Sequence, residues 1–502
     1  MQALHEILVH SADLHAERTA LIEEGGASIT YSGLHTSAVS YAAILNQHGL
    51  GQHKRIGVLL PKSIHSIMAF LGASMNGATY IPLDIDSPSA RNLLILKDCE
   101  FHALLTNPET AAEYATELPE NHQRIELEAF GLVLFLLRDV TEVEAHLEGT
   151  TPLAFLLYTS GSTGIPKGVP FTHANALSFV EWGSQAFHFH ENDKLGSIAP
   201  FHFDLSVFDI YVTLKHGACL YIFSRKSAQN PMLIAKLLDT EKITACYCTP
   251  TMLTLLLNYG KLDRLDHSAL RYVFFAGEVF PVKHLRKLMA AWPQAEYANL
   301  YGPTETNVCT YYRVPNPLPE AIENLPIGFT CEHLQSKVLS EGDNSSGELL
   351  ISGPAVMQGY WKRPEVNEKA FLIADNGTKW YKTGDLVDLN EQGEYLFLGR
   401  KDRMVKRRGY RIELDEVENA MRKHSAIEAS AVVATKGDDQ NVAIIAFFKL
   451  FPGKEVPPAL ELKTHCLDYV PSYMLPDKFL EIEAIPMTST QKVNYQQLLQ
   501  SV

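Results

Sequence analysis

Short apolar runs of strand length alternate with helical stretches twice along this chain, and no other feature constrains its fold as tightly. Between residues 29 and 84 the strand-like Arg55-Ile56-Gly57-Val58-Leu59-Leu60 is followed by a helical stretch over 63–73. Between residues 220 and 301 strands such as Tyr272-Val273-Phe274-Phe275 follow helical stretches such as 232–238. Repeated βα units predict an α/β fold, with parallel sheets covered by helices and ligands near the carboxyl ends of the strands. After about Ser345 the texture changes to short strands and turns, as in Gly347-Glu348-Leu349-Leu350-Ile351-Ser352-Gly353 and Gly393-Glu394-Tyr395-Leu396-Phe397-Leu398-Gly399, which predicts a β-rich subdomain. Past Asp402, helices are expected near 414–424 and 459–469 and strands near 429–434 and 442–449. The expected architecture is a large N-terminal domain over 1–401, with parallel helix-covered sheets plus the β-rich subdomain, and a small C-terminal α+β domain over 402–502.

Within the large domain, the run Leu157-Tyr158-Thr159-Ser160-Gly161-Ser162-Thr163-Gly164-Ile165-Pro166-Lys167-Gly168 gathers four serine and threonine hydroxyls, three glycines and a lysine. Glycines let backbone N–H groups approach a phosphate without a Cβ in the way, hydroxyls add donors, and lysine supplies a point charge. The apolar residues 153–158 read as the strand that presents this loop. An ordinary P-loop is excluded: Gly161 and Gly164 stand three apart, Pro166 precedes Lys167, and Gly168 follows where a magnesium-binding hydroxyl is required. A glycine-rich surface turn is the competing reading.

Composition narrows the function classes. The net charge of −15, from 43 basic and 58 acidic residues, argues against broad nucleic-acid binding. The longest apolar stretch, 130–137, stops at Arg138 and is too short to span a bilayer. The first residues, Met1-Gln2-Ala3-Leu4-His5-Glu6, lack the pattern of a secretory signal, so a cytoplasmic enzyme is expected. Seven scattered cysteines without a C-x-x-C pair are expected to be buried free thiols, and the 20 histidines show no zinc-ligand spacing. One basic cluster stands out: Arg400, Lys401, Arg403, Lys406, Arg407, Arg408 and Arg411, with Asp402 the only acid among them. It is either a solvated charged loop or a landing place for an anionic group or partner.

Four further segments invite explanation: Asn299-Leu300-Tyr301-Gly302-Pro303-Thr304-Glu305, Tyr381-Lys382-Thr383-Gly384-Asp385, Gly399-Arg400-Lys401-Asp402 and Thr490-Gln491-Lys492-Val493-Asn494. Tyr301 offers an aromatic face for a base, Glu305 a hard oxygen ligand, Asp385 an acceptor for ribose hydroxyls and Arg400 a donor fork. Each alone has an ordinary structural explanation, such as a glycine-proline turn or a helix cap. In their order and spacing, however, the chain resembles the adenylate-forming superfamily over essentially its whole length. Asn76-Gly77-Ala78-Thr79-Tyr80-Ile81-Pro82-Leu83-Asp84 resembles an early core motif of its amino-acid adenylation branch.

Phe203-Asp204-Leu205-Ser206 resembles the segment in which that branch places an aspartate for the substrate's α-ammonium group. A helix N-cap is the structural alternative for Asp204. Carried over by position, the other pocket walls are Leu205, Phe208, Tyr247, Phe274, Ala276, Leu300, Val308 and Cys309. None is charged, and burying an unpaired charged substrate group against them would be costly, so a small apolar amino acid is expected. The set resembles that of free-standing ligases that activate L-proline.

The resemblance further implies ATP and Mg²⁺, with Lys492 bridging the reacting anions and Glu305 near the metal. Thr159, Ser160, Gly161, Ser162, Thr163, Gly164 and Lys167 would hold the departing pyrophosphate, and Tyr301, Thr304, Asp385 and Arg400 the rest of the nucleotide. Asp402 matches the hinge of the small domain, and Gly409 would line the path of a phosphopantetheine arm. Gln491 departs from the glycine usual before the catalytic lysine, which bears on local loop geometry. No carrier segment with a modifiable serine precedes Val502, so a separate carrier protein is expected as partner, with no nucleic acid and no membrane. Such carriers are generally acidic, which would give the basic cluster a docking role. An acyl- or aryl-CoA synthetase and a catalytically silent amino-acid-binding protein are the alternatives. Asp204 opposes the first; Lys492 and Glu305 oppose the second.

Overall fold

The computed structural model of the chain describes residues 1–137, 151–161, 166–340, 345–437, 441–487 and 493–502. These divide into two compact units, Met1–Ile85 with Leu96–Leu157 and Gly168–Gly399, and Asp86–Ile95 with Tyr158–Lys167 and Arg400–Val502.

The larger unit is built on two large sheets, as the βα alternation predicts. Among the described residues one has nine strands and one seven. At the centre of the first, the strands Tyr272–Phe275, Ala245–Cys248, Lys194–Ser197 and Cys219–Ile222 pair in parallel. Its margins turn antiparallel, where Thr310–Val314 pairs with Glu296–Tyr301 and Ser28–Thr30 with Thr19–Glu23. The second margin follows from a tight return: Gly25 and Gly26 both take left-handed φ, +106° and +100°, and leave no length for a crossover helix. In the seven-stranded sheet Arg55–Leu59 lies between Thr79–Pro82 and Ala103–Thr106, all parallel and all buried, as runs without polar alternation require.

The predicted helix after Arg55–Leu59 runs from Ile64 to Met75, capped by Ser63, whose hydroxyl accepts from the Ser66 N–H. It passes the expected end by two residues, because Asn76 closes it and Gly77 supplies the left-handed turn at φ +75°. The loop-presenting strand spans Leu153–Thr159, and the apolar stretch ending at Leu137 is an edge-side strand, Leu132–Leu137. Among the described residues a five-stranded sheet follows, with Gly347–Ser352 paired antiparallel between Gln335–Leu339 and Lys379–Leu389. This is the predicted β-rich subdomain.

The smaller unit contains the hairpin of Met404–Arg407 and Tyr410–Glu413, the helix Leu414–Arg422, and a sheet of Ile427–Lys436, Val442–Leu450 and Lys478–Glu481 with Ala459–Leu467 as a further helix. Leu414, Val417 and Met421 recur at helical spacing and pack on Val432, Ile444 and Phe448 of the sheet.

Candidate active site

In the larger unit, two of the sequence-predicted segments meet at buried carboxylates. The strand Glu296–Tyr301 ends in Gly302, where a Cβ would lie 1.7 Å from the carbonyl oxygen of Asn307, so only glycine fits. This close return sets up the single turn Thr304–Thr306 and buries Glu305 completely. Glu305 accepts a hydrogen bond of 2.6 Å from the Tyr360 hydroxyl, which lies 3.2 Å from the Tyr381 hydroxyl. Alongside, the Tyr301 hydroxyl donates to Asp385, also fully buried, on the strand Lys379–Leu389. Gly384 takes φ +72° just before it, and the pairing register with the neighbouring strand shifts between Glu348 and Leu350.

The Glu305 carboxylate is a hard-oxygen donor, whereas the Thr306 hydroxyl is engaged with the Pro303 and Asn307 carbonyls at 3.1 and 2.9 Å. No group of three or more His, Cys, Asp or Glu among the described residues could hold a metal by itself. A single carboxylate suits Mg²⁺, which is commonly held by one or two carboxylates and substrate phosphates and keeps several waters.

Asp204 precedes a short helix, Leu205–Val207, in αR backbone conformation and makes no cap hydrogen bond with its side chain, so capping does not explain it. The next residues form a π-helical turn, Phe208–Val212. Phe208 meets Tyr247 and Phe274 with ring centroids at 5.6 and 5.4 Å, both edge-to-face, and Tyr247 and Phe274 are register partners on adjacent strands. Burial, and then the negative charges of Asp204 and Asp209, hold the Tyr247 phenol well above its ordinary pKa, so the phenol stays neutral. Leu300, Val308 and Cys309 are buried, and the Cys309 N–H donates to the Tyr301 carbonyl at 2.8 Å. Ala276 follows the Tyr272–Phe275 strand and is buried; Leu205 is partly exposed.

Lys62, Ser197 and Asp209 were not singled out by sequence. The Lys62 ammonium donates to the Ser197 carbonyl at 2.5 Å and lies 5.2 Å from the centre of the Phe201 ring. The Ser197 hydroxyl donates to Asp209 at 3.0 Å. Burial pushes the Lys62 ammonium down and the Asp209 carboxyl up, each opposed by the other's charge. Together they fix the end of the strand Lys194–Ser197 that leads to Asp204. Lys62 and Asp209 are separated by too much sequence for any local pattern to link them.

The smaller unit holds the described part of the glycine-rich loop. The Ser160 hydroxyl donates to the Arg411 carbonyl at 2.9 Å, and Thr159 and Ser160 are buried. Arg91 forms a buried ion pair with Glu416, whose carboxyl burial nonetheless pushes upward in pKa. Arg408 and Gly409, at φ +54° and +81°, make the two-residue turn of the hairpin. Of the basic cluster, Arg400 grips Asp402 with two bonds of 2.7 Å, Arg403 pairs with Asp415 and Glu418, Arg407 with Asp477, and Arg411 with Glu413. Much of its charge is therefore spent within the unit. Lys167 lies at the start of the strand Lys167–Thr172. Ser162, Thr163, Gly164 and Lys492 lie outside the described residues.

All seven cysteines are free, six of them buried. Among the described residues no helix is long and apolar enough to cross a membrane.

The AMP-binding enzyme family model matches residues 8–361, and that of the AMP-binding enzyme C-terminal domain matches 416–492. The chain is 34% identical to an L-proline--[L-prolyl-carrier protein] ligase of Pseudomonas fluorescens over 98% of both chains. It is 35% identical to a ligase of the same name from Streptomyces coelicolor, over 96% of this chain and 94% of that one. The crystal structure of IdnL1 superposes with a TM-score of 0.83 at 27% identity, covering 97% of this chain and 99% of that one.

Proposed function

This chain belongs to the AMP-binding enzyme family, and from that premise we propose that it activates L-proline with ATP and passes it to the phosphopantetheine thiol of a separate carrier protein. It is an AMP-forming amino acid:carrier-protein ligase. The observation that carries the substrate is the near full-length likeness to two prolyl-carrier ligases. An uncharged aromatic pocket beside a carboxylate that caps no helix agrees with it.

The first half-reaction joins a carboxylate oxygen of the substrate to the α-phosphorus of ATP as the bond to pyrophosphate breaks. Both reactants are anions, so the site must neutralise and align them. In this reading Asp204 pairs with the α-ammonium, and Lys492 lies between the two anions. Lys167, the hydroxyls of Thr159, Ser160, Ser162 and Thr163, and the amides at Gly161 and Gly164 receive pyrophosphate. Tyr301 presents its ring to the base, Asp385 accepts from the ribose, and Arg400 adds donors. Glu305 and Thr304 would hold Mg²⁺, which lowers repulsion among the phosphates when bound. Tyr360 keeps the Glu305 carboxylate oriented.

In the second half-reaction the thiol sulfur bonds to the adenylate carbonyl carbon, the thiol proton is released, and AMP leaves. Domain 402–502 would turn about Asp402 between the two steps, bringing Gly409 to the path of the thiol arm. The free thiols support a cytoplasmic location, where they stay reduced.

Loading tests the reading: with ATP and L-proline, a carrier protein bearing the phosphopantetheine arm gains the mass of one prolyl group. The same carrier without the arm gains nothing. Equal modification of both would contradict thioester transfer.

A further inference from the structure

Gly183 stands in the interior of the helix His173–Ala186 and is not among the glycines with left-handed φ. Its backbone therefore has no need of glycine, which in a helix costs about 1 kcal/mol relative to alanine. Space explains it. A Cβ at Gly183 would lie 2.8 Å from Cε2 and 3.2 Å from Cδ2 of Phe208, and 3.3 Å from Cγ2 of Val212. By contrast, a Cβ at Gly72 in the helix Ile64–Met75 would meet Tyr41 Cβ and the Ala38 carbonyl of a neighbouring helix, an ordinary requirement of helix packing. At Gly183 the obstacle is the edge of an aromatic ring that also walls the amino-acid pocket.

The direction in which that ring can yield is fixed by its neighbours. Phe208 is fully buried, with Phe179, Phe187 and Phe189 each at 6.2 Å between centroids. Phe179 is on the same helix as Gly183, one turn earlier and on the same face. A methyl at 183 would add to the pressure from that helix and drive the ring toward Tyr247 and Phe274, the other two aromatic walls.

We propose that Gly183 is a specificity-determining residue that acts through Phe208: the missing side chain lets the ring sit back against the helix and sets the width of the amino-acid pocket. The proposal rests on the reading of Phe208, Tyr247 and Phe274 as pocket walls. It makes Gly183 a positioning residue, with no contact to substrate of its own.

The test compares the intact enzyme with Gly183→Ala and with Gly183→Ala/Phe208→Leu, in which a shorter side chain returns the space. The readout is kcat/KM for pyrophosphate exchange with L-proline, L-alanine and glycine, beside a thermal melt of each protein. In Gly183→Ala the proline-to-alanine ratio is expected to fall by about 10-fold or more, the scale of one methylene in an apolar pocket, and the double variant is expected to recover most of it. A folded Gly183→Ala enzyme with an unchanged ratio would overturn the proposal, as would a double variant that recovers none. If Gly183→Ala does not fold, the double variant decides alone: near-native discrimination supports the proposal, and lost discrimination overturns it. Failure of the substrate reading looks different, because the intact enzyme itself would then prefer another amino acid to proline. The same ratio, taken between the larger and smaller of the amino acids it accepts, would still test Gly183.

Discussion

The proposed amino-acid pocket in the larger unit and the basic hairpin in the smaller one are held in opposite ways. Phe208, Tyr247 and Phe274 are fixed by rings packed edge to face in a dry core. The hairpin of Met404–Arg407 and Tyr410–Glu413 is fixed by arginines on carboxylates, several of them part-exposed. Packing has one good solution, so a displaced ring changes the pocket's shape. Partly exposed ion pairs tolerate rearrangement at small cost. The difference teaches that the residues proposed to select the substrate lie where packing is rigid, and that the proposed hinge and thiol path lie where contacts are exchangeable.

The largest effect that would sharpen this contrast is chemical. Asp204→Asn should lower amino-acid-dependent exchange about 100-fold to 1,000-fold in kcat/KM, the scale of leaving one charge of a buried pair without its partner, while KM for ATP holds. Next comes packing against charge. Phe274→Ala should cost about 3–5 kcal/mol in urea unfolding of the larger unit. Arg407→Ala should cost about 1–2 kcal/mol in the smaller one. Equal losses would break the comparison.

A pH effect follows from two histidines of the larger unit. Burial pushes His173 and His333 from the usual 6.5 down to about 4. Between those pH values the unfolded chain binds more protons than the folded one, so stability falls as pH drops from 6.5 toward 4. His333→Phe keeps a ring against Trp182, where the native rings stack at 5.7 Å, and should flatten part of that fall when melting temperatures at pH 7 and 5 are compared. The smallest effect belongs to an exposed pair: Lys449→Ala, breaking a 2.8 Å contact with Glu428, should change stability by no more than about 0.5 kcal/mol.

Much of this architecture was legible in the chain, though unevenly. The strand Tyr272–Phe275 matches its sequence reading to the residue, because four apolar side chains in a row must be covered on both faces. The helix ends were less legible, since caps such as Asn76 compete with periodicity. The segments around Tyr301, Glu305, Asp385 and Asp204 could be found because their residue types are unusual together. Tyr360, which holds Glu305, and Lys62, which is linked through Ser197 to Asp209, could not. Their partners lie far off in sequence, and only the fold sets the distances. Gly183 was equally silent, since a helix-interior glycine carries no pattern until Phe208 is seen against it.

The most direct test of the central claim is ATP–pyrophosphate exchange across the common amino acids with acetate, a fatty acid and benzoate as controls. The account predicts exchange with L-proline far above every other acid. Exchange with acids that lack an amine would contradict the role given to Asp204, and exchange confined to a different amino acid would contradict the proline assignment.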